Sequence, residues 1–146
     1  MSSESLFDFA NVDCEKTAEK VLIFLTIYYP RLERMCTSAN PKNLQSPMIS
    51  DMPTRTSVNN SFEDKMQRYL ASKVIVDAVH STLQKGSKEL RVVYDNVVGK
   101  IPAWQAMSAL HLEKTKYYEV RKKALNEFAD IFEMQSYYCP DLHVYN

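Results

Sequence analysis

The last third of the chain repeats its apolar residues at steps of three and four, which is the spacing of an amphipathic α-helix. Two short interruptions divide positions 90–132, the first at 99–101 and the second at His111. Pro102 follows the first interruption, and proline suits the first position of a helix because the N–H that it lacks has no helical partner there. We therefore predict three helices in this stretch, of which the second is short and the last covers about 114–133.

The apolar positions of the last helix define the side that should face the core. They are Tyr117, Val120, Ala124, Leu125, Phe128 and Phe132. A short helix, a tight turn and a long helix with a basic outer side are the layout of a helix-turn-helix, in which a supporting helix holds a recognition helix in the major groove of DNA. The sequence therefore predicts a helix-turn-helix over about 101–132.

The outer side of the last helix is the predicted DNA-binding face. Its first two turns, which reach base edges in a recognition helix, carry Lys114, Thr115, Tyr118, Glu119 and Lys122. Flanking basic residues that suit phosphate contacts are Lys116, Arg121 and Lys123. The alternative is an ordinary solvated helix face, since between His111 and Lys123 only five Lys/Arg stand against two Glu. We favour DNA binding because the short helix, the turn and the basic long helix occur together.

Composition limits the class of protein. A chain of 146 residues with 45% hydrophobic residues can form one domain with a real core, and its two glycines argue against a turn-rich β-fold. The formal net charge is zero, whereas a protein that coats nucleic acid non-specifically is strongly basic. We therefore expect an all-α protein in which any DNA contact comes from a local patch.

Cysteine content and hydropathy indicate a soluble cytoplasmic protein. The three cysteines are odd in number and widely spaced, and no secretory signal precedes them, which favours reduced thiols. The most apolar segment, Val21–Tyr29, has about nine residues, far fewer than the roughly 20 that span a bilayer.

The N-terminal part is predicted to form one long helix. Asp13 should cap it, its end should lie near Met35, and Pro30 should kink or divide it near Tyr29. Its apolar stripe is Val21, Leu22, Leu25, Tyr28, Leu32 and Met35. Three large residues outside that stripe either pack on a second side or form a surface for a second subunit, namely Phe24, Ile27 and Tyr29.

The middle of the chain is predicted to be a linker followed by a second long helix. Residues 37–60 hold three prolines and many Ser, Thr and Asn, which indicates a partly anchored linker. Ser61 and Asp64 resemble a capping box at the start of a helix to about Lys85, and Gly86 should end it in a left-handed conformation. The apolar positions of this helix are Phe62, Met66, Tyr69, Leu70, Val74, Val76, Val79 and Leu83.

The helices that follow complete the predicted architecture. Ser87 should cap a helix to about Val98 that buries Leu90, Val93, Tyr94 and Val97. The short helix after it should bury Trp104, Ala106, Met107 and Leu110. We divide the chain into an N-terminal helix (1–36), a linker (37–60), a DNA-binding domain (61–133) and a tyrosine-rich tail (134–146). The tail should pack either on the domain or on a partner.

Three segments carry a resemblance to a known family. The sequence LHLEKTKYYEVRKKAL at 110–125 is similar to the recognition unit of region four of sigma factors. DCEKTAEKVLIFLTIYYPRLERM, SPMISDMPTRTSVNNSFEDK and KYYEVRKKALNEFADIF together resemble the ArpU family of phage and prophage transcriptional regulators, and related RinA-type activators share the last part. The resemblance extends to about Phe132.

The resemblance implies a sequence-specific regulator of phage late genes, those for packaging, morphogenesis and lysis. Carried over by position, its contact residues are Lys114, Thr115, Tyr118 and Glu119, with Arg121 and Lys122 nearby. Two positions depart from the family pattern. His111 stands where the turn usually has glycine, a position that requires positive φ. Glu113 stands where Ser or Thr usually caps the recognition helix.

We expect double-stranded DNA as the partner and a homodimer as the working form, because a lone helix-turn-helix often needs two half-sites. Two alternatives remain: a small terminase subunit that binds DNA for packaging, and a sigma-like module whose last helix contacts host RNA polymerase. We expect no enzyme and no cofactor, since the sequence lacks a glycine-rich phosphate loop. Cys139 and His143 are spaced like a metal-ligand pair, but two ligands do not make a zinc site.

Overall fold

A computed structural model describes residues 11–38 and 56–146, with side chains in the second range described from Phe62 onward. This part of the chain is all-α, as predicted, apart from one isolated β-bridge. The helical elements are α1 (Cys14–Ile23), a π-helical turn (Phe24–Tyr28), α2 (Tyr29–Ser38), α3 (Thr56–Lys85), α4 (Lys88–Val97), α5 (Ala103–Leu110) and α6 (Lys114–Glu133). Most of the predicted linker, positions 39–55, lies outside the described residues.

The first helix runs without a break from α1 through the π-helical turn into α2. As predicted, Asp13 caps it, and its carboxylate accepts a hydrogen bond from the Lys16 N–H at 3.0 Å. Pro30 does not divide the helix. The π-helical turn precedes it, and the Tyr29 N–H reaches back five residues to the Phe24 carbonyl. Because proline has no N–H to donate, the change of hydrogen-bond register occurs where one bond is already missing.

The π-helical turn corrects the predicted apolar stripe. Tyr28 was expected in the core, yet it is 58% exposed, whereas Tyr29 is only 2% exposed. A π-helical turn holds one more residue than an α-helical turn, so the buried position moves one residue along the chain. Phe24, which the pattern puts off the stripe, is also buried. Of the three residues predicted as a second-subunit surface, only Ile27 is exposed.

Helix α3 begins at Thr56, which contradicts the predicted start at Ser61. Ser61 therefore lies inside the helix and is not its cap. A serine inside a helix costs only a few tenths of a kcal/mol, so a helix that packs on its neighbours can extend past a cap-like sequence. The predicted core positions Val76 and Val79 are buried, but Leu70 is 51% exposed and that prediction is wrong.

Two small polar residues lie in the core face of α3 where the sequence predicted none. Ser72 and Thr82 are buried. Each hydroxyl donates to the carbonyl four residues earlier, at 2.7 Å from Arg68 and 2.7 Å from Ala78. Burial without a hydrogen-bond partner is costly, and these bonds avoid that cost while the small side chains let neighbouring helices approach.

The junction between α3 and α4 depends on Gly86, although not for the predicted reason. Gly86 does not have positive φ. A Cβ atom added there would lie 2.5 Å from Leu90 Cδ2, so the position needs glycine for space. Ser87 caps α4 as predicted, accepting from the Leu90 N–H at 3.2 Å. The Ser87 hydroxyl and N–H also donate to Glu127, at 2.8 and 2.7 Å, which fastens α4 to α6.

Helix α6 lies at the centre of the fold and packs against α1, α3, α4 and α5. The predicted core face is confirmed, since all of its members are buried except Val120, which is half-buried. Phe128 stacks on Phe132 with ring centroids 5.3 Å apart, and the Phe24 ring of the π-helical turn lies 5.2 Å from Phe132. The aromatic contacts join the first helix to the last.

The C-terminal tail folds back on the same domain and does not extend away from it. Cys139 and Leu142 are buried. The Asp13 N–H donates to the Val144 carbonyl at 2.7 Å, and Val12 and Tyr145 form the antiparallel bridge. These bonds hold the end of the tail against the start of α1. No helix in the described ranges is long and apolar enough to cross a membrane.

Candidate nucleic-acid interface

The short helix α5 is the supporting element of the predicted helix-turn-helix. Pro102 was predicted at the first position of the helix, but it takes the N-cap position, and Ala103 is the first helical residue. Ala106 is completely buried where α5 meets its neighbours. Trp104 was expected in the core but is 71% exposed. It lies two residues from Ala106 and therefore on another side of the helix, because an α-helix turns by about 100° per residue.

The turn between α5 and α6 is closed by His111 in the left-handed conformation, with φ 56° and ψ 45°. The His111 N–H donates to the Ser108 carbonyl at 3.2 Å, and the Leu112 N–H donates to the Met107 carbonyl at 2.9 Å. This pair of bonds is the Schellman motif, which usually has glycine at the left-handed position. The expectation of positive φ at His111 is therefore confirmed, and histidine tolerates it better than most residues.

Tyr117 fixes the orientation of α6. Its ring is completely buried, and its hydroxyl donates to Asn96 Oδ1 at 2.8 Å. The Asn96 amide in turn donates to the Ile101 carbonyl at 3.1 Å, in the loop that leads into α5. Burial raises the pKa of Tyr117 against the opposing charge of Arg121, so the hydroxyl stays a donor. Sequence reasoning missed Asn96, because an Asn inside a helical pattern does not reveal a partner 21 residues away.

The predicted DNA-binding residues lie together on the solvent side of the first three turns of α6. Seven of them are exposed, namely Lys114, Thr115, Lys116, Tyr118, Glu119, Lys122 and Lys123. Arg121 is half-buried, and its guanidinium carbon lies 5.3 Å from the centre of the Tyr118 ring. Tyr118 also meets the buried Tyr117 edge to face, with ring centroids 5.4 Å apart. The Tyr118 ring is therefore held from two sides, although 42% of the residue remains exposed.

The acidic residues on this face modify its charge. Lys116 Nζ lies 3.6 Å from Glu119 Oε2, and both side chains are more than half exposed. Such a surface pair contributes little, so either group can exchange its partner for a ligand. Glu113 takes the N-cap position of α6, and its side chain makes no capping hydrogen bond. The N–H groups of the first turn of α6 are therefore not capped by that side chain, and the positive end of the helix dipole lies beside Lys114.

A second polar cluster lies at the opposite end of α6, around His143 of the tail. Its Nε2 is 2.6 Å from Asp130 Oδ1, and its Nδ1 is 2.5 Å from Asp141 Oδ1 and 3.4 Å from Glu133 Oε2. Glu133, Asp141 and His143 offer ligand atoms within 4.8 Å of one another, so they could hold a metal ion. Both ring nitrogens already face carboxylates, however, which favours a doubly protonated imidazolium. Cys139, the other half of the predicted ligand pair, is not part of this group.

The His143 cluster should make stability depend on pH. Burial lowers the pKa of His143, but hydrogen bonds and charges from Asp130 and Asp141 outweigh it and raise the pKa above the usual 6.5. A histidine with a raised folded-state pKa stabilises fully below its unfolded pKa and loses that contribution as pH rises through the folded one. The free energy of unfolding should therefore fall over a pH range that begins near the usual histidine value of 6.5 and extends through the raised folded-state pKa.

Urea unfolding across that range tests the cluster. His143→Gln should remove most of the decline, because glutamine has a similar reach and does not titrate. The same pH dependence in the wild type and in the variant would mean that another group causes it. Below the range, Asp141 adds an opposite effect. Burial raises its pKa, yet hydrogen bonds from Tyr145 and His143 lower it overall, so its contribution is lost in acid.

Comparison of the chain with protein-family models, with curated proteins and with solved structures found no match. The function is therefore inferred from the helix-turn-helix geometry, from the charges on α6 and from the resemblance of the sequence segments described above.

Proposed function

We propose that the protein is a sequence-specific transcriptional regulator that binds double-stranded DNA through α5 and α6. The observation that carries this proposal is the exposed basic face on the first turns of α6. Between Glu113 and Lys123 five basic residues stand against two acidic ones, in a chain of zero net charge. A local positive patch on a helix is the electrostatic footprint of a protein that contacts phosphates.

The rigidity of this face supports a role in reading sequence. The backbone of α6 is held on its inner side by Tyr117 and Ala124, which are almost completely buried. The turn before it is closed by two backbone hydrogen bonds, at His111 and Leu112. A face held in this way can present side chains to base edges without a further loss of backbone entropy on binding.

The side chains divide into two kinds of contact. Thr115, Tyr118 and Glu119 can meet base edges, where threonine and the tyrosine ring suit the thymine methyl group and glutamate suits the cytosine amino group. The cations on both sides of them, Lys114 and Lys122 in particular, suit phosphates or guanine. Glu113 would repel a phosphate, so the α6 N-terminus is expected to approach the backbone less closely than one capped by serine.

The resemblance to the ArpU family supplies the proposed biological role. It supports a proposed role as a regulator of late phage or prophage genes that acts as a homodimer in the cytoplasm of a bacterial host. The working partner is duplex DNA, and the protein acts by binding without catalysis or a cofactor. Contact with host RNA polymerase is an additional proposed interaction of a sigma-like helix-turn-helix.

Selection of bound duplexes from a random pool, followed by titration of the enriched site, tests the proposal. Lys122→Ala is expected to weaken binding roughly tenfold and to reduce the slope of log affinity against log salt by about 1, as for one lost phosphate contact. Lys65→Ala is the matched control, because Lys65 is an exposed lysine on α3 outside the helix-turn-helix. The DNA affinity of the Lys65→Ala variant and its salt slope should match those of the wild type.

Four results would contradict the proposal. The random pool could yield no enriched sequence, or both lysine variants could weaken binding equally, which would indicate non-specific attraction to the whole surface. Binding of polymerase with no binding to duplex DNA would instead identify a protein-interaction module. A large ring with little sequence preference would favour the small terminase subunit.

A further inference from the structure

The outer side of the first helix carries an exposed stripe that the core does not use. Ile23 is 46% exposed and Ile27 is 62% exposed, although isoleucine is among the residues most often buried. Glu19 lies four residues before Ile23, and Arg31 lies four residues after Ile27; both are exposed. We call these four residues the outer stripe. It lies wholly within described residues and apart from the helix-turn-helix.

The π-helical turn keeps the outer stripe straight. In a regular α-helix, residues four apart advance around the axis by about 40° at each step, so a run of three steps would wind away from one face. The π-helical turn over Phe24–Tyr28 has more residues per turn, so each residue rotates less about the helix axis. This smaller rotation offsets part of the drift and keeps the stripe near one line along the helix. Glu19, Ile23, Ile27 and Arg31 therefore share one side of the helix, which a straight partner helix can follow.

The order of charges along the outer stripe selects the partner. Its N-terminal end is acidic and its C-terminal end is basic, with the two isoleucines between them. The same order extends one turn further in both directions, through the exposed Glu15 and Arg34. A surface that is acidic at one end, apolar in the middle and basic at the other is complementary to a second copy of itself turned end for end.

We propose that two copies of this chain associate through the outer stripe as an antiparallel helix pair. With the two-fold axis at position 25, Ile23 of one copy faces the partner's Ile27, and Glu19 of one copy faces the partner's Arg31. Each contact occurs twice. A parallel pair would instead bring the two Glu19 carboxylates together and the two Arg31 guanidinium groups together, so the charges favour the antiparallel arrangement.

This pairing specifies the surface behind the homodimer in the proposed function, on which it rests. The contact is one helix wide and its apolar centre is small, so the expected dissociation constant is on the order of micromolar. Tyr28, which is 58% exposed beside the stripe, adds aromatic area at its edge. Self-association can be measured in the absence of DNA. The proposed dimer contact and the proposed DNA-binding function can therefore be contradicted independently of each other.

Sedimentation velocity over a range of concentrations tests the pairing on the full chain. Ile27→Glu should shift the protein to monomer, since it places a charge in the apolar centre twice per dimer. Leu70→Glu is the matched control, because Leu70 is a leucine of similar exposure on α3, outside the stripe. Circular dichroism should show unchanged helix content in both variants, as expected for exposed positions.

A charge exchange identifies the antiparallel register. Glu19→Arg and Arg31→Glu should each weaken dimerisation by about tenfold, because each replaces two attractive pairs with two repulsive ones. The double variant should restore the dissociation constant to within about threefold of the wild-type value. A wild-type monomer at every concentration would overturn the proposal. The proposal would also be overturned if Ile27→Glu left the dimer unchanged, or if the double variant of Glu19 and Arg31 did not recover the wild-type affinity.

Discussion

Phe128→Ala is expected to lower the free energy of unfolding by about 3–5 kcal/mol, as for loss of a large aromatic side chain from a packed core. Phe128 is completely buried on α6. Its ring stacks on Phe132 at 5.3 Å and lies 6.3 Å from Phe24, so its removal opens a cavity between the first helix and the last. Urea unfolding followed by circular dichroism measures the loss.

Trp104→Ala is the control for this prediction. Trp104 is the larger aromatic residue, but it is 71% exposed, and its removal should change stability by no more than about 0.5 kcal/mol. If Phe128→Ala does not fold, Phe128→Leu should still unfold at lower urea, with a loss of about 1–2 kcal/mol. Equal stability of the wild type and the Phe128 variants would show that α6 does not form the core.

The last helix was predictable because one long face of it is buried. A run of six apolar positions from Tyr117 to Phe132 fixes the orientation of every other residue on the same helix. The DNA-binding candidates were then predicted as the polar residues that lie outside this buried face. The helix bounds agree with the sequence for the same reason, since His111 and Glu113 mark the turn and the cap even though neither is the usual residue there.

The first helix shows where periodicity alone fails. Its pattern assigned Tyr28 to the core, and only the π-helical turn moves Tyr29 into that place. Pro30 indicated a local change in helix geometry near this point. A kink, a break and a π-helical turn are all compatible with the N–H that proline lacks, so the sequence does not choose among them. The choice among these three geometries depends on tertiary packing. Phe24 packs against the ring of Phe132 and Tyr29 against the ring of Tyr94, and both partners are distant in sequence.

Contacts between distant segments were beyond the reach of the sequence. Asp130 and His143 are 13 residues apart and carry no shared motif, yet their side chains meet at 2.6 Å. Ser87 and Glu127 are 40 residues apart and join two helices. Local spacing predicts which face of a helix is buried, but it does not tell which helix covers it. The contact between the tail and α1 was open for that reason.

Gly86→Ala is expected to lower the free energy of unfolding by about 1–3 kcal/mol, the usual cost of extra volume in a packed site. The new Cβ would lie 2.5 Å from Leu90 Cδ2 and 3.1 Å from the Thr82 carbonyl oxygen. A flexible side chain at the surface could move away, but Leu90 is completely buried. The strain must therefore be shared by α3 and α4, and thermal or urea unfolding would detect it.

A double-mutant cycle with Leu90→Val separates this steric cause from a backbone cause. The shorter valine side chain leaves room for the Cβ, so Gly86→Ala should cost less in the Leu90→Val background than in the wild type. Gly99→Ala is the matched comparison, because a Cβ at Gly99 meets nothing within 4 Å and the strain there comes from φ of +86°. Its cost should be the same in both backgrounds, and Gly99→Asn should cost less, since asparagine adopts the left-handed conformation more readily. An unchanged cost of Gly86→Ala in the Leu90→Val background would show that contact with Leu90 is not why glycine occupies this junction.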